Sequence, residues 1–449
     1  MTTSKHADLP APNPDSEREQ YTLSGVLVTN RRFDVPLNHS DPEGESISIF
    51  ARELVATGRK DDDLPYLVFF QGGPGGASPR PEARGGWIDR ALNDYRVLLL
   101  DQRGTGLSTP VSYQTVTARG DAQAQADYLA LFRADSIVAD AELIRQRLAG
   151  GEKWAIIGQS FGGFCVLRYL SVAQDALSAA FIAGGIPSLT GPADAVYRAT
   201  YPRVEAKNRE FFARYPQAQA LASKVADHLL ANDARMPNGQ RLTVEQFQQL
   251  GMELGASGGY ERIVDLLERA FVTVNGREEL SYTFLHGVFT ATGFHTGPIF
   301  SVLHEAIYCQ ADPANAASNW AAHRVRAEFP QFDYDPGKEF LFTGEMIYPW
   351  MFDQFETLKP LKDAAELLAA KADWPALYDL QVLGNNRVPT AAALYFHDMY
   401  VDLGIALESA AQVPNLEVWV TSEYEHNGLR ADGARVLGRL MSMLPVVHG

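Results

Sequence analysis

Short apolar runs, each closed by a glycine-rich turn, recur along the first third of the chain. Leu64-Pro65-Tyr66-Leu67-Val68-Phe69-Phe70 ends in Gln71-Gly72-Gly73-Pro74-Gly75-Gly76. Tyr95-Arg96-Val97-Leu98-Leu99-Leu100 ends in Asp101-Gln102-Arg103-Gly104-Thr105-Gly106. Trp154-Ala155-Ile156-Ile157 ends in Gly158-Gln159-Ser160-Phe161-Gly162-Gly163. Continuous runs of this length predict strands covered on both faces, as in a parallel sheet. Asp135 to Leu148 and Phe164 to Leu170 carry helical spacing, and Ala179 to Gly185 predicts another strand. Tyr21 to Ala56 instead alternates between turn residues, which predicts antiparallel strands. Strands alternating with helices predict a mostly parallel, doubly wound sheet.

The texture changes near Pro187. From residue 188 to 374 helical segments and aromatics dominate, with Asn208 to Leu230 and Thr243 to Phe271 predicted as helices. No buried-strand rhythm is present there. After Pro375 the earlier rhythm returns, with strands predicted at Pro389–Phe396 and Leu416–Thr421. Helices are predicted from Leu403 to Ala411 and from Leu429 to Leu444. The expectation is therefore one α/β core, residues 21–187 and 375–449, interrupted by a helical cap at 188–374. Residues 1–20 are polar and proline-rich and predict a flexible N-terminus.

Composition narrows the function. The formal net charge of -16 argues against nucleic acid and against an anionic membrane as partner. Only Cys165 and Cys309 are present, so there is neither a disulfide framework nor a Cys-based metal spacing. The N-terminus lacks an apolar signal core and no run approaches a membrane span, so a cytoplasmic protein is expected.

Strand, Gly-x-Ser-x-Gly, helix is the context of a nucleophile elbow, with Ser160 at its apex. A serine hydroxyl is a weak nucleophile and needs a base that is itself oriented by an acid. On such a sheet the acid and the histidine follow late strands, in that order. Asp398 stands two residues after the strand ending at Phe396, and His426 follows the strand ending near Thr421. His397 precedes the last strand, and His448 lies at the chain end. Asp402 lies further from its strand, and Asp353 falls in the insertion. The turn Gly72-Gly73-Pro74-Gly75-Gly76 can bring backbone close to a substrate oxyanion. The N–H groups of Gly73 and Phe161 are the expected donors. No Lys-Ser or Lys-Thr follows this turn, and Ser78 stands at the last glycine of a dinucleotide pattern, so it matches neither phosphate motif.

These motifs resemble the prolyl aminopeptidases (proline iminopeptidases) of the α/β-hydrolase fold. The resemblance extends through Leu303-His304-Glu305-Ala306-Ile307-Tyr308, Gly344-Glu345-Met346-Ile347-Tyr348-Pro349-Trp350, Asp398-Met399-Tyr400-Val401 and Glu423-Tyr424-Glu425-His426-Asn427-Gly428. The long cap is similar to that of the larger bacterial form. Two positions depart: Gln71 stands where many members have histidine, and Ala183 where smaller members carry arginine.

The resemblance implies release of N-terminal proline from peptides through an acyl-enzyme on Ser160, without metal or other cofactor. It also implies acidic cap residues that bind the substrate's imino group, Glu305 first and Glu345 second. A broader aminopeptidase, a carboxylesterase on the same fold, and a catalytically silent binding protein are the alternatives. Ser160 at the elbow excludes the epoxide hydrolases and dehalogenases, which need aspartate there. The sequence leaves the oligomeric state open.

Overall fold

A computed structural model describes residues 19–292, 294–311 and 317–445. Nearly all of the expected flexible N-terminus, and His448, lie outside these residues. The chain forms β1 (Gln20–Leu23), β2 (Val26–Pro36), β3 (Ser46–Ala56), β4 (Tyr66–Phe70), β5 (Arg96–Asp101), β6 (Trp154–Gln159) and β7 (Leu177–Ala183). A small hairpin follows, β8 (Phe271–Val274) and β9 (Arg277–Leu280), then β10 (Thr390–Tyr395) and β11 (Leu416–Thr421). All except β8 and β9 join one sheet in the order β1-β2-β3-β5-β4-β6-β7-β10-β11. Strands β1 to β3 are antiparallel, β3 pairs antiparallel with β5, and every later pairing is parallel.

The continuous apolar runs are explained by burial on both faces. Val68, Phe70, Leu98, Leu100 and Ile156 face one core. Leu67, Phe69, Val97, Leu99, Ala155 and Ile157 face the other. The second core is closed by the Gly433–Met443 helix, whose Val436, Leu437 and Leu440 pack beside Trp87. The first core continues into the insertion between β7 and β10, through residues such as Tyr201, Phe247 and Phe342. Packing of this extent supplies the main driving force for docking the insertion on the sheet.

Several elements differ from expectation inside the insertion. The helix expected from Asn208 to Leu230 is two helices, Ala193–Arg214 and Pro216–Ala231, meeting at Tyr215. Proline at the first helical position disfavours α backbone in the residue before it. The 243–271 segment is also divided, into Val244–Gln248, a 3-10 stretch at Gln249–Gly255, and Gly259–Glu268. Gly258, with φ 74°, starts the last of these. The β8–β9 hairpin, absent from the expectation, turns on Asn275 and Gly276, both at positive φ. That dipeptide favours a tight hairpin turn. The last expected helix is likewise two, Gly428–Ala431 and Gly433–Met443.

Candidate active site

Ser160 sits between β6 and the Phe161–Val172 helix with φ 53° and ψ -124°. A non-glycine residue holds such a conformation only where its surroundings impose it. Here the turn is imposed by close backbone crossings. A Cβ on Gly158 would collide with the backbone of Gly162, and one on Gly162 with the carbonyl of Phe70. Ser160 N–H donates to the Ala183 carbonyl at 3.0 Å, and Gly163 N–H to the Ser160 carbonyl at 2.7 Å. The side chain stays partly accessible.

The glycine turn after β4 lies directly against the elbow. A Cβ on Gly72 would come within 2.9 Å of the Ser160 Cβ. Gly73 follows it, and Phe161 occupies the first helical position, where an N–H has no intrahelical acceptor. The turn is held from above, since a Cβ on Gly75 would meet the Ile299 side chain at 2.8 Å.

Asp398 and His426 come from the loops after β10 and β11. Asp398 is 2% exposed and divides its carboxylate between two tasks. Oδ1 accepts the N–H groups of Tyr400 at 2.8 Å and Val401 at 3.0 Å. Oδ2 is 2.6 Å from His426 Nδ1. This contact fixes the ring and leaves Nε2 free to exchange a proton. Burial disfavours the imidazolium of His426, but the charge of Asp398 and its hydrogen bond to the ring outweigh it, so its pKa is raised. Gln159 Nε2 donates to the His426 carbonyl at 3.3 Å, tying this loop to the elbow. His426 makes no hydrogen bond to Ser160 Oγ.

The competing residues have other work. Asp402 caps the Leu403–Ala410 helix at Ile405 N–H, 3.0 Å away, and pairs with Arg203 at 3.0 Å. Asp353 is an exposed partner of Lys362. His397 is exposed, edge-on to Phe396.

The two glutamates of the insertion differ sharply. Glu305, 6% exposed, accepts the N–H groups of Ala321 at 3.0 Å and Ala322 at 2.8 Å. It therefore caps the Ala321–Arg326 helix, with Ser318 adding a side-chain hydrogen bond. Burial raises its pKa, and these hydrogen bonds oppose the rise. The space beside it, lined by Ser301, Val302, Ser318 and Trp320, is about 10 Å³. That is room for one water at most. Arg133 Nη1 fixes the following turn through the carbonyls of Ala306 at 2.9 Å and Cys309 at 2.7 Å.

Glu345 instead lies within electrostatic reach of His426 and Asp398. Its segment abuts the Asp398 loop, where a Cβ on Gly344 would lie 3.2 Å from Met399 Cε. Burial pushes its carboxyl up to about 8; His426 opposes the shift and Asp398 adds to it. The resemblance puts Glu305 before Glu345; Glu305 is engaged by backbone N–H groups, whereas the charge of Glu345 interacts with His426 and Asp398. Around Glu345 stand groups the sequence did not single out. Tyr308 and Tyr197 feel its charge, and the buried hydroxyl of Tyr197 has no partner. His304 is driven down to about 4 by burial, and its Nδ1 is likewise unpartnered. Tyr308 and His304 lie inside the motif that carried Glu305, whereas Tyr197 lies in no motif. A line of rings, Phe161, Phe164 and Tyr308, runs from the elbow into the insertion with neighbouring centroids 5.8 Å apart.

Among the described residues no group of three His, Cys, Asp or Glu side chains could hold a metal ion, and no helix is long and apolar enough to cross a membrane.

The sheet order and the elbow define an α/β hydrolase, and residues 65–271 match the alpha/beta hydrolase fold family. The chain is 53% identical to a proline iminopeptidase of Aeromonas sobria, over 94% of this chain and 98% of that protein. It is 34% identical to a proline iminopeptidase of Aspergillus aculeatus, over 92% of each. A proline iminopeptidase of Neisseria meningitidis shares 32% identity over 24% of this chain and 28% of its own length. The chain belongs to the proline iminopeptidase family.

Proposed function

We propose that this enzyme releases N-terminal proline from peptides by acyl transfer through Ser160. The observation that carries the reading is the His426–Asp398 contact of 2.6 Å beside a serine held at positive φ. The relatives' names supply the substrate class.

In this mechanism the peptide's first carbonyl lies over Ser160, and His426 Nε2 takes the hydroxyl proton as Oγ attacks. The imidazolium so formed is stabilised by the Asp398 carboxylate. The Gly73 and Phe161 N–H groups receive the developing oxyanion. His426 then returns the proton to the departing amine, leaving a prolyl ester on Ser160. Water attacks that ester by the same route in reverse, with His426 as base.

An aminopeptidase must also register the chain end. Glu345 is the carboxyl facing His426 and Asp398, so we assign it to the ring ammonium of proline. A charge-assisted hydrogen bond there would orient the carbonyl as well as bind it. Phe161, Phe164 and Tyr308 supply an apolar wall suited to a pyrrolidine ring. Glu305 acts one step back, by capping the helix at Ala321. The reading is tested by turnover of proline, alanine and leucine anilides. Preference for proline supports it, and equal or greater turnover of the other two points to a broader aminopeptidase.

A further inference from the structure

The loop carrying His426 is gripped by two different bodies. Its first residues are held by the core: Glu423 pairs with Arg435, and Tyr424 OH donates to Asp432 at 2.8 Å. The next three residues are held by the insertion. Glu425 Oε1 is 2.6 Å from Nζ of Lys207, a lysine only 4% exposed on the Ala193–Arg214 helix. His426 N–H donates to the Gly255 carbonyl at 3.2 Å. Asn427 Oδ1 accepts from Ser257 Oγ at 2.9 Å and from Ser257 N–H at 3.1 Å.

The same cap segment reaches the acid's loop. Tyr400 OH donates to the Met252 carbonyl, and its ring fills the place where Gly255 would carry a Cβ. That ring stands 4.8 Å from the His426 ring, while Tyr400 N–H binds Asp398 Oδ1. Met252 to Ser257 thus contacts both loops of the acid–base pair. A buried lysine is retained only where a partner offsets its desolvation, and Glu425 is that partner beside the base.

We propose that Lys207 and Ser257 are positioning residues, through which the seated cap sets His426 at its working distance from Ser160. This deepens the Ser160–His426–Asp398 reading and rests on it. The cap is then part of the base's support as well as a cover over the substrate. A small displacement of a reacting group costs rate steeply, so the support acts on kcat.

The test measures steady-state turnover of proline p-nitroanilide across pH by full-length wild type, Lys207→Met, Lys207→Arg, Ser257→Ala and Glu425→Gln. His426→Ala and Ser160→Ala are run in parallel, and a serine-directed phosphonate reports reactivity of Ser160. The charged and titratable groups facing His426 are Asp398, Glu345, Glu425 and Tyr400; those facing the Lys207 ammonium are Glu425, Glu210 and Tyr260.

Lys207→Met is expected to lower kcat by about ten- to a hundred-fold with KM little changed. It also leaves Glu425 unneutralised beside His426, so the acidic limb of kcat/KM should move to higher pH. Glu425→Gln removes that charge and should move the limb to lower pH. Lys207→Arg should restore most of kcat, and Ser257→Ala should lower kcat with no shift of the limb.

If His426→Ala turns over normally, the triad reading itself fails. If it is dead while Lys207→Met and Ser257→Ala match wild type in kcat and pH limb, the positioning proposal alone is overturned. A rise in KM only would also overturn it. Should Lys207→Met fail to fold, Glu425→Gln decides, because it is nearly isosteric: an unmoved limb with unchanged kcat rejects the proposal.

Discussion

Glu305 spends its carboxylate on the backbone of Ala322, 2.8 Å from its N–H, with Ala321 at 3.0 Å. A side chain so engaged is a structural cap. Glu305→Gln replaces one acceptor oxygen by an amide nitrogen that cannot accept, leaving a buried N–H unpaired. The expected cost is about 1–3 kcal/mol of stability. Thermal denaturation should show it, while kcat/KM for proline anilide in the folded protein falls far less than in Glu345→Gln.

For Glu345→Gln the expected loss in kcat/KM on proline substrates is about a hundred-fold, roughly one buried charged hydrogen bond. The comparison of these two variants in one assay checks the assignment of Glu345, rather than Glu305, to the substrate nitrogen.

Glu345 also predicts a proton signature. With its carboxyl pushed up to about 8, it is largely protonated at neutral pH in the free enzyme. Pairing with a substrate ammonium favours the carboxylate, so binding must release a proton. Calorimetry of a prolinamide-type competitive ligand in buffers of different ionisation enthalpy should detect the release. Glu345→Gln should abolish it.

The same group governs stability against pH. The unfolded chain loses the Glu345 proton in the ordinary carboxylate range, whereas the folded chain keeps it until about 8. Between these limits the native state holds more protons, so stability falls as pH rises, by at most about 1.4 kcal/mol per pH unit. Wild type should therefore lose stability relative to Glu345→Gln across that window, as read by denaturant midpoints.

Asp398→Asn should leave His426 in place but favour the wrong tautomer, at a cost of about ten-thousand-fold in rate. Asp402→Asn should keep activity, since Asp402 caps a helix and pairs with Arg203. Single-turnover rates of the two variants separate the roles.

Much of the arrangement is legible in the sequence because it is local. A serine between a buried strand and a glycine-rich helix start can hardly be anything but an elbow. Asp398 stands out from Asp402 by its distance to the strand end. The hairpin at Asn275-Gly276 turns on an equally local dipeptide, but its strands are mostly exposed and lack the buried runs that mark the sheet. The break at Tyr215 follows from Pro216, whereas Pro202 is carried inside its helix without ending it. What the sequence conceals is set by distant partners. Nothing near Glu305 announces that residues 321 and 322 will dock on its carboxylate. Nothing near Lys207 announces Glu425, which lies 218 residues further along the chain.

The proposed serine triad cuts only behind a free proline nitrogen. The most direct measurement compares kcat/KM for proline anilide and N-acetylproline anilide on wild type, with Ser160→Ala as the control. Turnover of the free substrate, no detectable turnover of the acetylated one, and a loss of about a million-fold in Ser160→Ala are expected. Brisk cleavage of the acetylated anilide by wild type, or near-native turnover by Ser160→Ala, would contradict the proposed mechanism.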